Sequence, residues 1–143
     1  MPDDGAAAPL DRCFVLREGG DVTIVAWGAM VPEALTAATT LAERGIAAEV
    51  IDVATLKPLD AGTILASVAK TGRCVIVQEA PLSGGCGAEI AARIAERGLL
   101  SLLAPIERVA GYDTVMPLPR LEAHYLPSEA RILAAAKRTL AYA

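Results

Sequence analysis

Short apolar, β-branched runs alternate with longer helical stretches along this chain, and no other feature constrains the fold as strongly. These runs are apolar on both faces, and they occupy Val22–Trp27, Ala47–Asp52, Arg73–Gln78 and Pro105–Val109. Strands of this kind belong in a sheet that helices cover on both sides. Alternating strands and helices form parallel βαβ units with right-handed crossovers. The sequence therefore predicts an α/β fold, with three α/β/α layers around a mostly parallel open sheet.

The stretches between the runs show helical periodicity and helix-end signals. Val31–Arg44 keeps its apolar residues on one face, with Pro32 near its start and Gly45 after its end. Asp60 is a suitable N-cap for a second helix, which Gly72 would end. The remaining predicted elements are an antiparallel edge strand at Cys13–Arg17, helices at Cys86–Arg97 and Ser128–Tyr142, and a Pro-rich loop over 110–127.

Length and composition exclude several classes of protein. The 143 residues correspond to about one domain, and a hydrophobic content of 54% excludes a disordered chain. Aromatic residues make up only 3%, so the core must be built from Ala, Val, Ile and Leu. With 13 basic against 17 acidic residues, a nucleic-acid partner is not expected. No apolar run reaches the roughly 20 residues that span a bilayer, so no membrane partner is expected.

The chain divides into a short leader and one domain. Residues 1–9 are small, acidic and Pro-bounded, and we expect a loose leader or a cloning boundary over residues 1–11; residues 12–143 form the domain. The cysteines Cys13, Cys74 and Cys86 are odd in number and widely spaced. This pattern favours reduced thiols in the cytoplasm over a disulfide framework or a zinc site.

A glycine-rich segment lies between the third predicted strand and the helix that follows it. Gly84, Gly85 and Gly87 surround Cys86 there. Free amides at a helix start can receive a phosphate, but the spacing matches no dinucleotide or P-loop motif, so close backbone packing is favoured. Cys86 and His124 could form a nucleophile pair. We favour instead a Cys86 packed under the loop and a solvated His124 on a loop.

Two carboxylates stand near predicted strand ends. Glu79 directly follows the third strand, at the edge where open α/β sheets place ligands. It could act as an acid or base, but capping the Gly84–Gly87 amides or pairing with an arginine is favoured. Asp113 is typical of an Asx turn. No paired carboxylates or metal-ligand spacing stand out, so we predict no catalytic, cofactor-binding or metal residue. We therefore expect a partner to supply the catalytic residues.

Five motifs in register resemble a known family. They are Leu56–Asp60, Glu79–Pro81, Gly84–Ile90, Arg108–Asp113 and Tyr125–Pro127. Together they resemble the transketolase C-terminal domain, and more narrowly that domain in the beta subunit of thiamin diphosphate-dependent 2-oxo acid dehydrogenases. The resemblance runs from about residue 12 to the end of the chain. Within that group, the pyruvate, branched-chain 2-oxo acid and acetoin types remain open.

The resemblance implies a role in a larger enzyme. A complete beta subunit carries a pyrimidine-binding domain and, with an alpha subunit, binds thiamin diphosphate and magnesium, decarboxylates a 2-oxo acid and passes the acyl group to a lipoyl carrier. The C-terminal domain binds no cofactor itself; it packs against a second beta subunit as a homodimer and offers a docking surface to the lipoyl acyltransferase. The structural or interface candidates are Glu79, Gly84, Gly85, Gly87, Glu89, Leu103 and Asp113.

The sequence departs from the family pattern in two ways. The family's catalytic glutamate and histidine belong to the pyrimidine-binding domain, and His124 does not match them. Many members also have an acidic residue before the Ala-Pro that opens the fourth strand, and it helps to grip a basic docking module. Here Leu103 precedes Ala104 and Pro105. Two alternatives remain: another thiamin-dependent transketolase-like enzyme, and a stand-alone module that binds a small anion at Gly84–Gly87.

Overall fold

One five-stranded sheet organises the computed structural model, which describes residues 9–142. Strands β2, β3, β4 and β5 run parallel, whereas β1 is an antiparallel edge strand on β3. The spatial order is β1-β3-β2-β4-β5. The predicted fold class, including the antiparallel edge strand, is therefore confirmed. The strands are β1 (Phe14–Arg17), β2 (Val22–Ala26), β3 (Ala48–Asp52), β4 (Cys74–Pro81) and β5 (Glu107–Gly111).

Helices cover both faces of this sheet. They are α1 (Met30–Ala42), α2 (Ala61–Thr71), α3 (Cys86–Gly98), α4 (Pro119–Tyr125) and α5 (Glu129–Ala141), and a 3-10 turn follows α3 at Leu99–Ser101. Helices α1 and α5 pack on one face, and α2 and α3 pack on the other. Asp60 accepts the N–H of Thr63 at 3.0 Å, and Gly72 ends α2 with a φ of 70°. Both predicted ends of α2 are thus confirmed.

Strand residues alternate between two cores. Ile24, Val50 and Val75 face α1 and α5. Val25, Ile51 and Ile76 face α2 and α3. Successive side chains of a strand point to opposite faces, so a strand buried on both sides must be apolar throughout. Large aromatic side chains contribute little to either core. Helices α1 and α5 meet through buried alanines, which allow close approach of the helices: Ala34, Ala37, Ala38, Ala135 and Ala136.

The segment predicted as a Pro-rich loop contains ordered elements. Strand β5 begins at Glu107 rather than Pro105 and runs on to Gly111, and α4 occupies Pro119–Tyr125. Pro119 stands at the start of α4, where its missing N–H costs no helical hydrogen bond. Most of the predicted leader, residues 1–8, lies outside the described residues. In the described part, no helix is long and apolar enough to cross a membrane.

Candidate functional site

The candidate site is the carboxyl-end surface, by which we mean the β4–α3 turn (residues 82–85) and the loop after β5 (residues 112–118). Gln78 supports this surface from below. Its side chain is 2% exposed, and its Oε1 accepts the N–H of Gly87 at 2.7 Å. Its Nε2 donates to the carbonyls of Ala80 at 3.2 Å and Pro81 at 2.7 Å. Sequence reasoning missed Gln78, although one polar residue that ends an apolar strand was a visible signal.

The glycines of the β4–α3 turn and of the start of α3 occupy positions where a side chain would clash or strain the backbone. A Cβ on Gly87 would stand 2.7 Å from Gln78 Oε1 and 3.1 Å from Ile76 Cγ2. Gly84 has a φ of 75°, a backbone conformation that side chains disfavour. Gly87 N–H donates to Gln78, and Ala88 N–H donates to the Gly85 carbonyl at 3.0 Å. Two amides of the helix start are therefore engaged inside the protein and not offered to an anion.

Glu79 differs from its prediction. It lies inside β4, exposed, and among the described residues it neither caps the Gly84–Gly87 amides nor forms an ion pair with an arginine. The physical reason is that Gln78 already occupies the inner position. Because neighbouring strand residues point to opposite faces, Glu79 points away from the turn that Gln78 holds.

Cys86 and His124 also differ from expectation. Cys86 is exposed and not packed under the loop, because the buried face of α3 is formed by Gly87, Ile90 and Ile94. His124 is exposed as predicted, but it lies on α4 and not on a loop. Among the described residues, no hydrogen bond joins these two side chains. The nucleophile pair is therefore not assembled.

Asp113 links the two loops of the carboxyl-end surface. Its Oδ1 accepts the N–H of Ser83 at 3.0 Å, and its Oδ2 accepts the Ser83 hydroxyl at 2.7 Å. These bonds from Ser83 hold the pKa of Asp113 below its usual value. The expected Asx turn is therefore replaced by a contact across 30 residues, while Thr114 N–H donates to the Tyr112 carbonyl at 2.7 Å.

Arg131 joins α5 to the end of β5. Its Nη2 donates to the Ala110 carbonyl at 2.6 Å. Its Nη1 reaches the carbonyls of Tyr125 at 3.5 Å and Leu126 at 3.4 Å. The guanidinium carbon lies 4.8 Å from the centre of the Tyr112 ring, a cation–π distance. The cation is thus fixed in place by neutral groups.

The two other predicted interface residues lie elsewhere. Glu89 Oε1 accepts from Arg93 Nε at 2.7 Å along the exposed face of α3. Leu103 is 61% exposed, and its N–H donates to the Gly72 carbonyl at 2.8 Å. A Cβ on Gly72 would stand 2.6 Å from Leu103 Cδ1, so the leucine covers the end of α2. Neither residue is part of the carboxyl-end surface.

A second polar cluster lies at the opposite ends of the strands. The Glu49 side chain is 2% exposed and accepts hydrogen bonds from Ser67 and Lys70. Burial raises the pKa of Glu49, but the bonds from Lys70 and Ser67 outweigh burial and bring it below its usual value. The Thr23 hydroxyl pairs with the Ser67 hydroxyl at 2.8 Å. This network satisfies its own polar groups and was not predicted.

The buried thiols are held in their neutral form. Burial raises the pKa values of Cys13 and Cys74 to about 12. A thiol is nucleophilic as its thiolate, so neither residue is suited to catalysis. Within residues 9–142, no group of three or more His, Cys, Asp or Glu side chains is arranged to hold a metal ion. The described residues thus offer contacts between loops, the ordered Arg131 guanidinium and a buried Glu49 paired with a half-exposed Lys70.

Comparisons with known proteins identify the domain. Residues 11–132 match the family described as transketolase, C-terminal domain. The pyruvate dehydrogenase E1 component subunit beta of Staphylococcus epidermidis is 45% identical over 142 residues, covering 99% of this chain and 44% of that protein. The corresponding subunit of Leifsonia xyli subsp. xyli is 49% identical over 134 residues, covering 94% of this chain and 40% of that protein. The chain thus spans less than half the length of these relatives.

Solved structures agree with this assignment. A protein described as a split gene transketolase, inactive beta4 tetramer, superposes with a TM-score of 0.85 at 34% identity, covering 99% of this chain and 45% of that one. A transketolase from Pichia stipitis shares the fold alone, with a TM-score of 0.62 at 14% identity. The five motifs, the sheet order and the matched residues lead to one conclusion: the chain belongs to the transketolase C-terminal domain family.

Proposed function

We propose that this chain is the C-terminal assembly and docking domain of the beta subunit of a 2-oxo acid dehydrogenase of the pyruvate dehydrogenase type. One observation carries the proposal: nearly the whole chain aligns with pyruvate dehydrogenase E1 beta subunits at 45–49% identity, yet spans only 40–44% of them. The complete enzyme would oxidatively decarboxylate a 2-oxo acid and transfer the acyl group to a lipoyl carrier. The domain supports that reaction without catalysing it.

Two places where the cofactors of such an enzyme could bind, a metal cluster and the glycine-rich start of α3, do not suit them in the described residues. Within residues 9–142, no group of three or more His, Cys, Asp or Glu side chains is arranged to hold a metal ion, so the described part offers no magnesium cage of its own. A diphosphate at the start of α3 would need free backbone donors there, but the N–H groups of Gly87 and Ala88 are already bonded within the turn. We propose that thiamin diphosphate and magnesium bind in the rest of the enzyme, and we route no catalytic step through this domain.

The proposal includes a second copy of the domain as a partner. Val115, Leu118 and Leu121 are 88%, 82% and 55% exposed, close together in the chain between β5 and the end of α4. Exposed apolar clusters of this kind favour association. We expect the chain to self-associate, and sedimentation velocity over a concentration series measures this. A species that stays monomeric at the highest soluble concentration would contradict the homodimer.

A domain exchange tests the proposed function. In the Staphylococcus epidermidis beta subunit, the region that aligns with this chain is replaced by residues 1–143, and the hybrid is coexpressed with its alpha subunit. Decarboxylation of pyruvate is followed with thiamin diphosphate, magnesium and an artificial electron acceptor. We expect the hybrid to assemble and to be active, whereas the isolated chain is inactive in the same assay.

Two controls make the exchange decisive. The beta subunit truncated before the exchanged region should neither assemble nor turn over, since the domain supplies assembly. Activity of the isolated chain above that of a heat-treated sample would refute the non-catalytic assignment. A hybrid that folds but never binds the alpha subunit would refute the assembly role.

A second candidate is the same domain of a split transketolase. The superposition with the split gene transketolase, with its TM-score of 0.85 and 34% identity, favours this alternative. The exchange is repeated in that protein, and copurification with the remaining part of each enzyme is compared. Assembly with the transketolase part alone would select the second candidate.

A further inference from the structure

Two arginines beside β5 have no carboxylate partner within ion-pair distance among the described residues. They are Arg108 on β5 and Arg131 on α5. Both line a pocket of about 250 Å³, together with Tyr112 and Asp113. Both also line an adjoining pocket of about 170 Å³, which Arg138 completes. Two guanidinium groups that line the same pockets without a carboxylate partner favour the binding of an anion there.

Neutral groups fix the position of the Arg131 guanidinium, so its positive charge is not compensated. Three bonds to the carbonyls of Ala110, Tyr125 and Leu126 fix its guanidinium, and the Tyr112 ring supports it. Carbonyls are neutral, so they orient the cation without cancelling it. A guanidinium has about five N–H donors, and only part of them is used here. A ligand would therefore meet a cation that is already ordered, which lowers the cost of binding.

The neighbouring charges leave Arg108 available. Its side chain is exposed, and its contact is a long one of 3.4 Å from Nη1 to the Leu82 carbonyl. Arg138 is neutralised by Glu107, with contacts of 3.0 and 2.7 Å. Asp113 lines the larger pocket as a counter-charge, but both of its oxygens accept from Ser83. The lining of the larger pocket thus carries two cations against one engaged carboxylate.

We propose that the cleft along the outer edge of β5, between Leu82 of the β4–α3 turn and α5, binds a small oxyanion, a phosphate or carboxylate group, between the guanidiniums of Arg108 and Arg131. The planar fork of arginine matches both groups through paired N–H···O bonds. The cleft runs along β5 and reaches Tyr112 and Asp113 at its carboxyl end, the end at which α/β sheets place ligands. The chain as a whole is negative, at −4, so binding depends on this local pair. The site goes beyond the proposed function and does not rest on it.

Anion titrations of the 143-residue chain test the site. Inorganic phosphate and citrate are titrated separately at constant ionic strength set with sodium chloride, and amide chemical shifts are followed by NMR. We expect saturable shifts at residues 108–113 and 131. Saturation by phosphate alone identifies a phosphate-bearing ligand, and saturation by citrate alone identifies a polycarboxylate. The absence of saturable shifts with both anions overturns the proposal.

Two matched arginine variants test whether Arg108 supplies the charge that binds the anion. Arg108→Met should weaken binding about tenfold, the loss expected for one charge-assisted contact. Arg97→Met, at an exposed arginine of α3 outside both pockets, removes the same charge and should change affinity less than twofold. Circular dichroism verifies that both variants fold. Equal weakening by the two variants would show a general charge effect and overturn the site.

Discussion

Gln78 occupies a position that only an amide side chain can satisfy. The carbonyls of Ala80 and Pro81 need a donor, while the N–H of Gly87 needs an acceptor. An amide offers both, whereas an ionised carboxylate such as that of Glu79 only accepts. With 2% exposure, Gln78 has no water to replace these partners. The β4–α3 turn therefore depends on one residue directly beneath it.

The contact between Gln78 and Gly87 leads to a prediction for Gly87→Val. The added Cβ would stand 2.7 Å from Gln78 Oε1, so either the hydrogen bond or the start of α3 must shift. We expect a loss of about 1–3 kcal/mol in the free energy of unfolding, as for overpacking. Denaturant titration measures the change. Gly20→Val is the control, since a Cβ at Gly20 meets nothing within 4 Å. An unchanged midpoint for Gly87→Val would contradict the packing role.

At the scale of elements, Glu49 joins β3 to α2. Ser67 and Lys70 of α2 donate to its carboxylate, and Gly19 N–H approaches it at 3.4 Å. Thr23 of β2 extends the network to Thr71 at 2.8 Å. Three elements therefore meet in a buried polar contact beside an apolar core. Such a contact fixes the position of α2 along the sheet, which apolar packing alone defines less sharply.

Glu49→Gln should reveal this contact through its pH dependence. The folded pKa of Glu49 lies below its ordinary value of 4.5, so the carboxylate stabilises the fold above about that pH. This contribution is lost as the pH falls through the lowered folded pKa. We expect the variant to be less stable by roughly 1.5–3 kcal/mol at pH 7, with a smaller difference below pH 4.5. Denaturant titrations from pH 3 to 7 measure both.

The matched control for this prediction is Glu89→Gln. Glu89 pairs with Arg93 on the exposed face of α3, where an ion pair contributes about 0.5 kcal/mol or less. Its removal should lower stability only slightly at every pH. A Glu49→Gln difference that stays constant from pH 3 to 7 would show that the carboxylate charge is not what stabilises α2.

Local patterns predicted the elements better than the contacts between them. Apolar β-branched runs and the Asp60 cap are visible within a few residues, so β2, β3 and α2 follow from sequence. Helix α4 was missed because three prolines and a short length resemble a loop. Gln78 and Glu49 were missed for another reason: their partners lie across the fold or on another element, and polar residues in strands carry no local pattern of their own.

At the scale of the molecule, Leu103→Asp tests the docking part of the proposed function. Leu103 is 61% exposed, so a carboxylate there remains hydrated and the fold should persist. A basic docking module of a lipoyl acyltransferase would gain one ion pair, worth about 1 kcal/mol or less at an exposed site. We expect tighter binding by surface plasmon resonance, and a gain that shrinks as salt rises.

Leu100→Asp is the control for docking. Leu100 is 100% exposed and three residues away, so the same charge is added beside the expected contact. An equal gain from both variants would indicate general attraction of a basic module by an acidic surface. If neither the unmodified chain nor Leu103→Asp binds the module at either salt concentration, the docking role is unsupported, whereas the family assignment is unaffected.

The different exposure of the three cysteines allows the domain to be labelled with a dye at a single site. Cys13 and Cys74 are buried with pKa values near 12, whereas Cys86 is exposed at the first residue of α3. A maleimide dye therefore attaches at one place without any engineered substitution. The dye stands beside the β4–α3 turn, so its emission and anisotropy change when another molecule covers that surface. Assembly and ligand exchange become measurable as optical signals on the unmodified sequence.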